Sequence, residues 1–254
     1  MPSVYIQQAV LSEVQRYSQH PDLRIVDVSA SDGKLLRRLY DAGYRNLTGT
    51  LYGAENEWEY QPAPGEFDFA TFVPKVDVLA GMPFEDGAFD VVINTELLEH
   101  LENHPRALTE LSRIVKPGGL LVLETPNIMR LQSRFYFFLT GFHKPRTQFP
   151  PYHKPLAQHL YYHVFPIHLP VLDYFLFQLG MERVRLRWNK WKLFPVLLLL
   201  LLWPLILLFE AEFVLREKSF DRPTKWRLFK LQLHPAVLLC DVLIMTWRKA
   251  PGRQ

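Results

Sequence analysis

Three groups of residues have types and spacings that suit chemistry. The first is RIVDVSASDGKLLRRL, residues 24–39, where Asp27 closes an apolar run, small residues follow (Ser29, Ala30, Ser31, Gly33) and an amphipathic segment begins. Small side chains let a ligand come close to backbone amides, as at the strand-to-helix turns of nucleotide-binding sheets. Taken alone, the same composition also makes an ordinary turn. The second group is histidine-rich: His143, His153, His159, His163 and His168 lie among prolines and aromatics, and His100 follows Glu99 further upstream. His159 and His163 stand four apart, which on a helix would put both on one face as a pair of metal ligands. No acidic residue completes such a site before Asp173, so loop histidines without a metal are the expectation. The third group is LFPVLLLLLLWPLILLF, residues 193–209, which carries no charge.

The elements that must position these groups are readable for half of the chain. Residues 3–19 hold Val4, Val10, Leu11, Val14 and Tyr17 near one helical face. Strands are expected at Arg24–Val28, Asn46–Thr50, Phe89–Ile93 and Leu120–Leu123, with helices at Gly33–Ala42 and Pro105–Val115 and a turn at Lys116–Gly119. This alternation implies a parallel, doubly wound α/β sheet. Residues 51–75 give no clear period. After Thr125 the pattern loosens, and residues 126–168 read as a cap or substrate loop. A helix at Leu169–Leu179 ending at Gly180, a strand at Met181–Trp188 and a last strand at Asp241–Trp247 complete the reading.

Composition narrows the function classes. At 254 residues, 48% apolar and 22% charged, the chain has the makings of one large domain with an appendage. A net charge of +3 is no footprint of nucleic-acid binding. Cys240 is the one cysteine, so no intrachain disulfide forms, as a reducing compartment permits. Glu13 and Arg16 interrupt the only apolar stretch near the start, so a signal peptide is not expected.

The order IVDVSASDG (25–33), GMPFEDGAFDVVINTELLEHL (81–101) and KPGGLLVLETPN (116–127) resembles the class I S-adenosylmethionine-dependent methyltransferase family, in particular members that methylate small molecules, lipids and quinones. The matching residues are Asp27, Gly33, Pro83, Phe84, Asp86, Phe89, Asp90, Glu99, His100, Leu101, Pro117, Gly118 and Gly119. The resemblance implies a Rossmann-like, seven-stranded, mostly parallel sheet with an antiparallel last strand, and S-adenosylmethionine as cofactor. It implies that Asp27, Ser29, Ala30, Ser31 and Gly33 line the methionine part. Asp77 and Val78 would meet the adenine, and Asn94 and Thr95, just after strand four, the methionine and acceptor. His100 and His163 are the candidate catalytic bases, with a structural role the alternative for His100. Tyr161 and Tyr162 share the expected pocket mouth. The chain departs from the family pattern in its Ser-Ala-Ser loop, at Leu51 where an acid would bind the ribose (Glu55 or Glu57 standing in), and in an Asp77 one residue further from Pro83.

The leucine tract then limits topology. Fourteen of its 17 residues are Leu, Ile, Val or Phe, which favours membrane insertion by about 4 to 8 kcal/mol. As a helix it would reach about 26 Å, short of a hydrocarbon core of about 30 Å. It sits between the strands expected to form the last antiparallel hairpin, so the chain must enter and leave on one side: a re-entrant or interfacial segment, bent at Pro204. Lysines and arginines on both flanks suit a cytoplasmic, anionic leaflet, and residues 223–239 read as interfacial. The expected organisation is a methyltransferase domain over 1–190 and 236–250, with the cap at 126–168 inside it, and a membrane-associating insertion at 191–235. The expected partners are a lipid-like acceptor and a membrane surface, with an oligomer possible. A soluble enzyme with an apolar oligomer interface and a non-catalytic scaffold are the alternatives.

Overall fold

The computed structural model describes residues 3–28, 30–52, 68–143, 149–155 and 162–251. The elements run α1 (Val4–Tyr17), β1 (Arg24–Val28), α2 (Lys34–Asp41), β2 (Asn46–Thr50), β3 (Thr71–Val73), β4 (Phe89–Thr95), a short 3-10 turn (Leu98–His100), α3 (His104–Ile114) and β5 (Val115–Pro126). They continue with α4 (Leu131–Thr140), α5 (Leu169–Gln178), β6 (Met181–Arg187), α6 (Leu193–Arg216), α7 (Arg222–Gln232), α8 (Pro235–Leu239) and β7 (Val242–Lys249). The sheet order is β3-β2-β1-β4-β5-β7-β6. Pairing is parallel from β3 to β5, and β7 runs antiparallel to both β5 and β6.

The strands are apolar on both faces because helices cover both. Ile25, Val91, Ile93, Leu120 and Val122 pack against Ile6, Val10 and Val14 of α1 and Leu35, Leu36 and Leu39 of α2. The alternating residues Val26, Val28, Val92, Leu121 and Leu123 face the other layer, with Leu108 and Leu111 of α3 and Leu172 and Leu176 of α5. Period-2 alternation splits each strand between two hydrophobic layers.

Three sequence expectations change. Asn94 and Thr95 are the last residues of β4 rather than the loop after it. The segment 126–168 contains a helix, α4, that the sequence conceals. Its aromatics (Phe135, Phe137, Phe138) and Leu139 are exposed, and only Leu131 and Ser133 are buried, so no inward-facing stripe marks it. Residues 235–239 are not interfacial: α8 buries Ala236, Val237, Leu238 and Leu239, and the Asn127 amide donates to the carbonyls of Ala236, Val237 and Cys240 at 3.2, 2.8 and 2.9 Å.

The leucine tract forms the first part of α6, a 24-residue helix that continues through Pro204 and is about 36 Å long. By length and composition it could cross a membrane. Its contacts spread along its length. Trp191 bridges to Cys240, the Phe194 ring meets Phe135 at 6.0 Å, Leu198 packs with Leu131, Leu238 and Leu239, and Glu210 feels the Arg134 guanidinium. The helix therefore lies across α4 and α8. Its outer face is bare: Leu197, Leu200, Leu201, Leu205, Leu208 and Phe209 are exposed. From there α7 returns to the domain, held by Arg227, which donates to buried Asp173 at 2.6 Å while Arg183 donates to the same carboxylate at 2.7 Å.

Candidate active site

The carboxyl ends of β1 and β4 build one half of the site. Register pairs Val28 with Asn94 and Asp27 with Ile93, so Asp27 and Asn94 arrive side by side. Both are buried, and neither Asp27 Oδ1 nor Asn94 Oδ1 has a hydrogen-bond partner among the described residues. Unpaired acceptors this deep are costly unless a ligand supplies donors. Burial, and secondarily the Asp32 carboxylate, pushes the Asp27 carboxyl up to about 8. Asp32 itself is held by the Lys34 backbone amide at 3.3 Å and its ammonium at 2.6 Å.

The turn after β1 is folded tightly. Ala30 donates to the Thr50 carbonyl and Gly33 to the Ala30 carbonyl, both at 2.9 Å. Ser31 (φ 49°) and Gly33 (φ 66°) both adopt left-handed backbone, a region glycine occupies freely and serine only at a cost of about 1–2 kcal/mol. Ser29 lies outside the described residues. Leu51 is buried, its amide donating to Val73 and its carbonyl accepting from Val76, so this position serves the β2–β3 connection. Glu55 and Glu57 lie outside the described residues. Asp77 is half-buried, accepts the Leu79 amide at 2.8 Å and stands beside buried Val78. Sequence reasoning missed Tyr52. Its hydroxyl is pushed up by burial and by Asp77 and Glu102, which puts a phenol at the Asp77 end of the cleft.

Two strands over, a cavity of about 210 Å³ opens at the carboxyl end of β5. Glu99, Thr125 and Ile128 form its inner wall, and Phe142, His143, Phe149 and His163 its outer one. Glu99 is buried, its Oε2 accepts from the Thr125 hydroxyl at 3.4 Å, and its carbonyl accepts the Phe165 amide at 3.1 Å. His163 meets the His100 ring edge-on at 5.0 Å. His100 itself is not among the lining residues, and its Nδ1 lies 3.1 Å from the Tyr162 carbonyl. Side-chain donor atoms of Glu99, His100 and His163 all fall within 4.8 Å of one another. His159 and Tyr161 lie outside the described residues, and His163 is brought to Glu99 and His100 instead. His143 stacks on Phe137 at 4.3 Å, and burial, then His168, lowers its pKa. Glu99 was legible only as part of a motif. That it lines the cavity follows from the 3-10 turn, which no periodicity announces.

A mixed sheet ordered 3-2-1-4-5-7-6 with β7 antiparallel, an acid near the end of β1 and a tight turn into α2 together define a Rossmann-like class I methyltransferase fold. The comparisons place the chain further. The methyltransferase domain family matches residues 4–173, and the chain belongs to it. Among curated relatives, the ubiquinone biosynthesis O-methyltransferase of Maricaulis maris is 44% identical over 57 residues, 22% of this chain and 22% of that protein. The 2-methyl-6-phytyl-1,4-hydroquinone methyltransferase of Synechocystis is 30% identical over 106 residues, 41% of this chain and 32% of that protein. The matched regions span no more than half the length of such relatives. Among solved structures, the YcgJ protein of Bacillus subtilis has a TM-score of 0.56 at 12% identity, over 96% of this chain and all of that one. A methyltransferase of Archaeoglobus fulgidus described as dependent on S-adenosylmethionine has a TM-score of 0.51 at 16% identity, over 96% of this chain and 94% of that one. The cofactor of the family is S-adenosylmethionine. The site fits it: the two unpaired acceptors at Asp27 and Asn94 suit a ligand that ends in an ammonium group.

Proposed function

We propose that this chain is a membrane-associated methyltransferase acting on a lipid-like acceptor: a lipid, a quinone or a lipid-linked glycan precursor. The observation that carries the reading is α6. Its apolar outer face is bare while its inner face lies across α4, the helix that leads into the acceptor cavity. Water around that face costs about 25 cal/mol for each Å² of apolar surface, and a bilayer removes the cost. Trp188 and Trp191 before the tract and Trp226 after it are exposed, as are Lys190, Lys192, Arg216, Lys218 and Arg222. This is the composition of an interfacial helix on an anionic leaflet.

Bound S-adenosylmethionine supplies a methyl group on a sulfonium, an electrophile that needs no activation by the protein. Asp27 and Asn94 hold its amino-acid end, with Asp77, Val78 and Tyr52 at the adenosine end. The residues of the cavity hold the acceptor in line with the methyl, and orientation supplies much of the rate. His163 accepts the acceptor's proton as the new bond forms. Glu99 fixes the orientation of His163 and balances the imidazolium.

Cell fractionation tests the location: the protein stays with membranes through a high-salt wash. Recovery in the soluble fraction before any wash would refute the membrane reading. Calorimetry with S-adenosylhomocysteine tests the chemistry. One observation favours a non-catalytic scaffold, namely that Leu51 stands buried where the family pattern leads one to expect a ribose-binding acid. No binding at millimolar ligand would decide for the scaffold.

A further inference from the structure

One element joins the cavity to the apolar appendage. Helix α4 ends at Gly141, and Gly141, Phe142 and His143 are cavity wall. The last two turns of α4 present Phe135, Phe137, Phe138 and Leu139 outward, with Phe138 84% and Leu139 61% exposed. Across the mouth, Phe149 lines the cavity and is also exposed. This aromatic patch runs into α6 through the Phe135–Phe194 ring contact and the Leu131–Leu198 packing. Exposed apolar residues thus stand on α6, on the half of α4 that leads into the cavity and at the cavity mouth itself, with α4 and α6 in contact.

We infer that the C-terminal half of α4 is a second membrane-embedded element, so that the cavity opens sideways into the lipid. The inference rests on the membrane reading above and extends it to the acceptor. Two features choose a bilayer over another occupant. The apolar strip is flanked by exposed Lys190 and Lys192 at one end of α6 and by Arg216, Lys218 and Arg222 at the other, which is complementary to anionic headgroups. The cavity, at about 210 Å³, is also smaller than pockets that enclose a whole drug-sized ligand, about 300 Å³ and up. It therefore admits a polar or ring-sized head bearing the methyl-accepting atom. A hydrocarbon tail must stay outside, along Phe138, Leu139 and Phe149, where lipid can solvate it. The acceptor class is an amphiphile with a compact head and a chain that never leaves the membrane.

Environment-sensitive fluorophores test this on the full-length protein. Cys240 is buried, so single labels go on Phe138→Cys, on Leu201→Cys in the outer face of α6, and on Arg37→Cys in α2, on the opposite layer, as control. Binding of S-adenosylhomocysteine confirms that each variant is folded. With vesicles of phosphatidylcholine and phosphatidylglycerol, labels at 138 and 201 brighten several-fold and shift to the blue, while the label at 37 does not change. If 201 responds and 138 does not, α6 anchors the protein but the sideways opening is wrong. If neither responds, the membrane reading itself falls. If both respond without vesicles as protein concentration rises, together with a doubling of mass, a second copy covers the surface and the inference is overturned.

Discussion

The two ends of the sheet's carboxyl edge are built in contrasting ways. On the β1–β4 side the strands are sealed between two hydrophobic layers, and the polar groups they carry, Asp27 and Asn94, are buried with acceptors unpaired. On the β5–β7 side several polar groups are tied into a network. Asn127 donates to three carbonyls around α8, Arg130 pairs with Asp241, and Asp173 takes one guanidinium from β6 and one from α7. Beyond that network, however, apolar surface is bare. One side leaves two buried acceptors without a partner among the described residues, and the other leaves apolar surface exposed. Donors from a ligand would meet the first, and the lipid proposed above would cover the second.

The comparison can be tested from both sides. The largest effect is expected at His163. His163→Ala should lower kcat by about 10²–10⁴-fold while S-adenosylhomocysteine binding stays unchanged, and Glu99→Gln should fall less far. Treatment with a chelator should leave turnover unchanged. Loss of turnover with the chelator would reassign the Glu99, His100 and His163 cluster to a metal. Next, Asp173→Ala leaves Arg183 and Arg227, both partly exposed, without their shared acceptor and should cost about 1–3 kcal/mol in denaturant unfolding. A value under about 1 kcal/mol, the range of exposed ion pairs, would show that α7 does not depend on this clamp.

The Asp27 carboxyl gives a pH signature. Its folded value, about 8, lies above the ordinary carboxyl value of 3.8. Its contribution to stability is therefore complete below about 3.8 and is lost as pH rises towards 8. The ligand-free protein should lose on the order of several kcal/mol across that window, and Asp27→Asn should flatten the slope, read by thermal melts at several pH values. A cationic ligand favours the carboxylate, so cofactor binding near neutral pH should release a proton, visible as a calorimetric heat that changes with buffer. The smallest effect belongs to Ser31→Gly. Relief of the left-handed serine should stabilise the fold by about 1 kcal/mol, and an unchanged melting temperature would mean that the turn relaxes without it.

What could be read from the sequence divides along the same line. Strands β1, β4 and the core of β5 announce themselves because parallel strands buried on both faces are continuous apolar runs, and Asp27 and Asn94 stand near the ends of two of them, whereas β3 lies in the stretch that gives no clear period. Helix α4 escaped because it faces outward with aromatics, which erases the inward stripe that marks a helix. The leucine tract was legible as apolar but not in its direction. Pro204 lies inside α6 and the helix continues through it, anchored by contacts from Phe194 to Glu210 that only the fold supplies. Likewise, Glu99 and His163 are 64 positions apart, and no local pattern brings them to one cavity.

The sheet order carries one more consequence, for how the protein is made. Strand β7 is the last element in the chain but sits between β5 and β6. Until residues 242–249 have left the ribosome, β5 and β6 each offer an open edge, and the long apolar helix α6 has already emerged. Open edges and bare leucines together make an aggregation-prone intermediate. The hazard is short-lived if α6 meets its apolar surroundings while synthesis continues, because the Lys190 carbonyl then needs only the Asp241 amide, 3.1 Å away in the finished fold, to start the closing strand. In vitro, refolding yield should therefore depend on whether lipid or detergent is present before β7 docks.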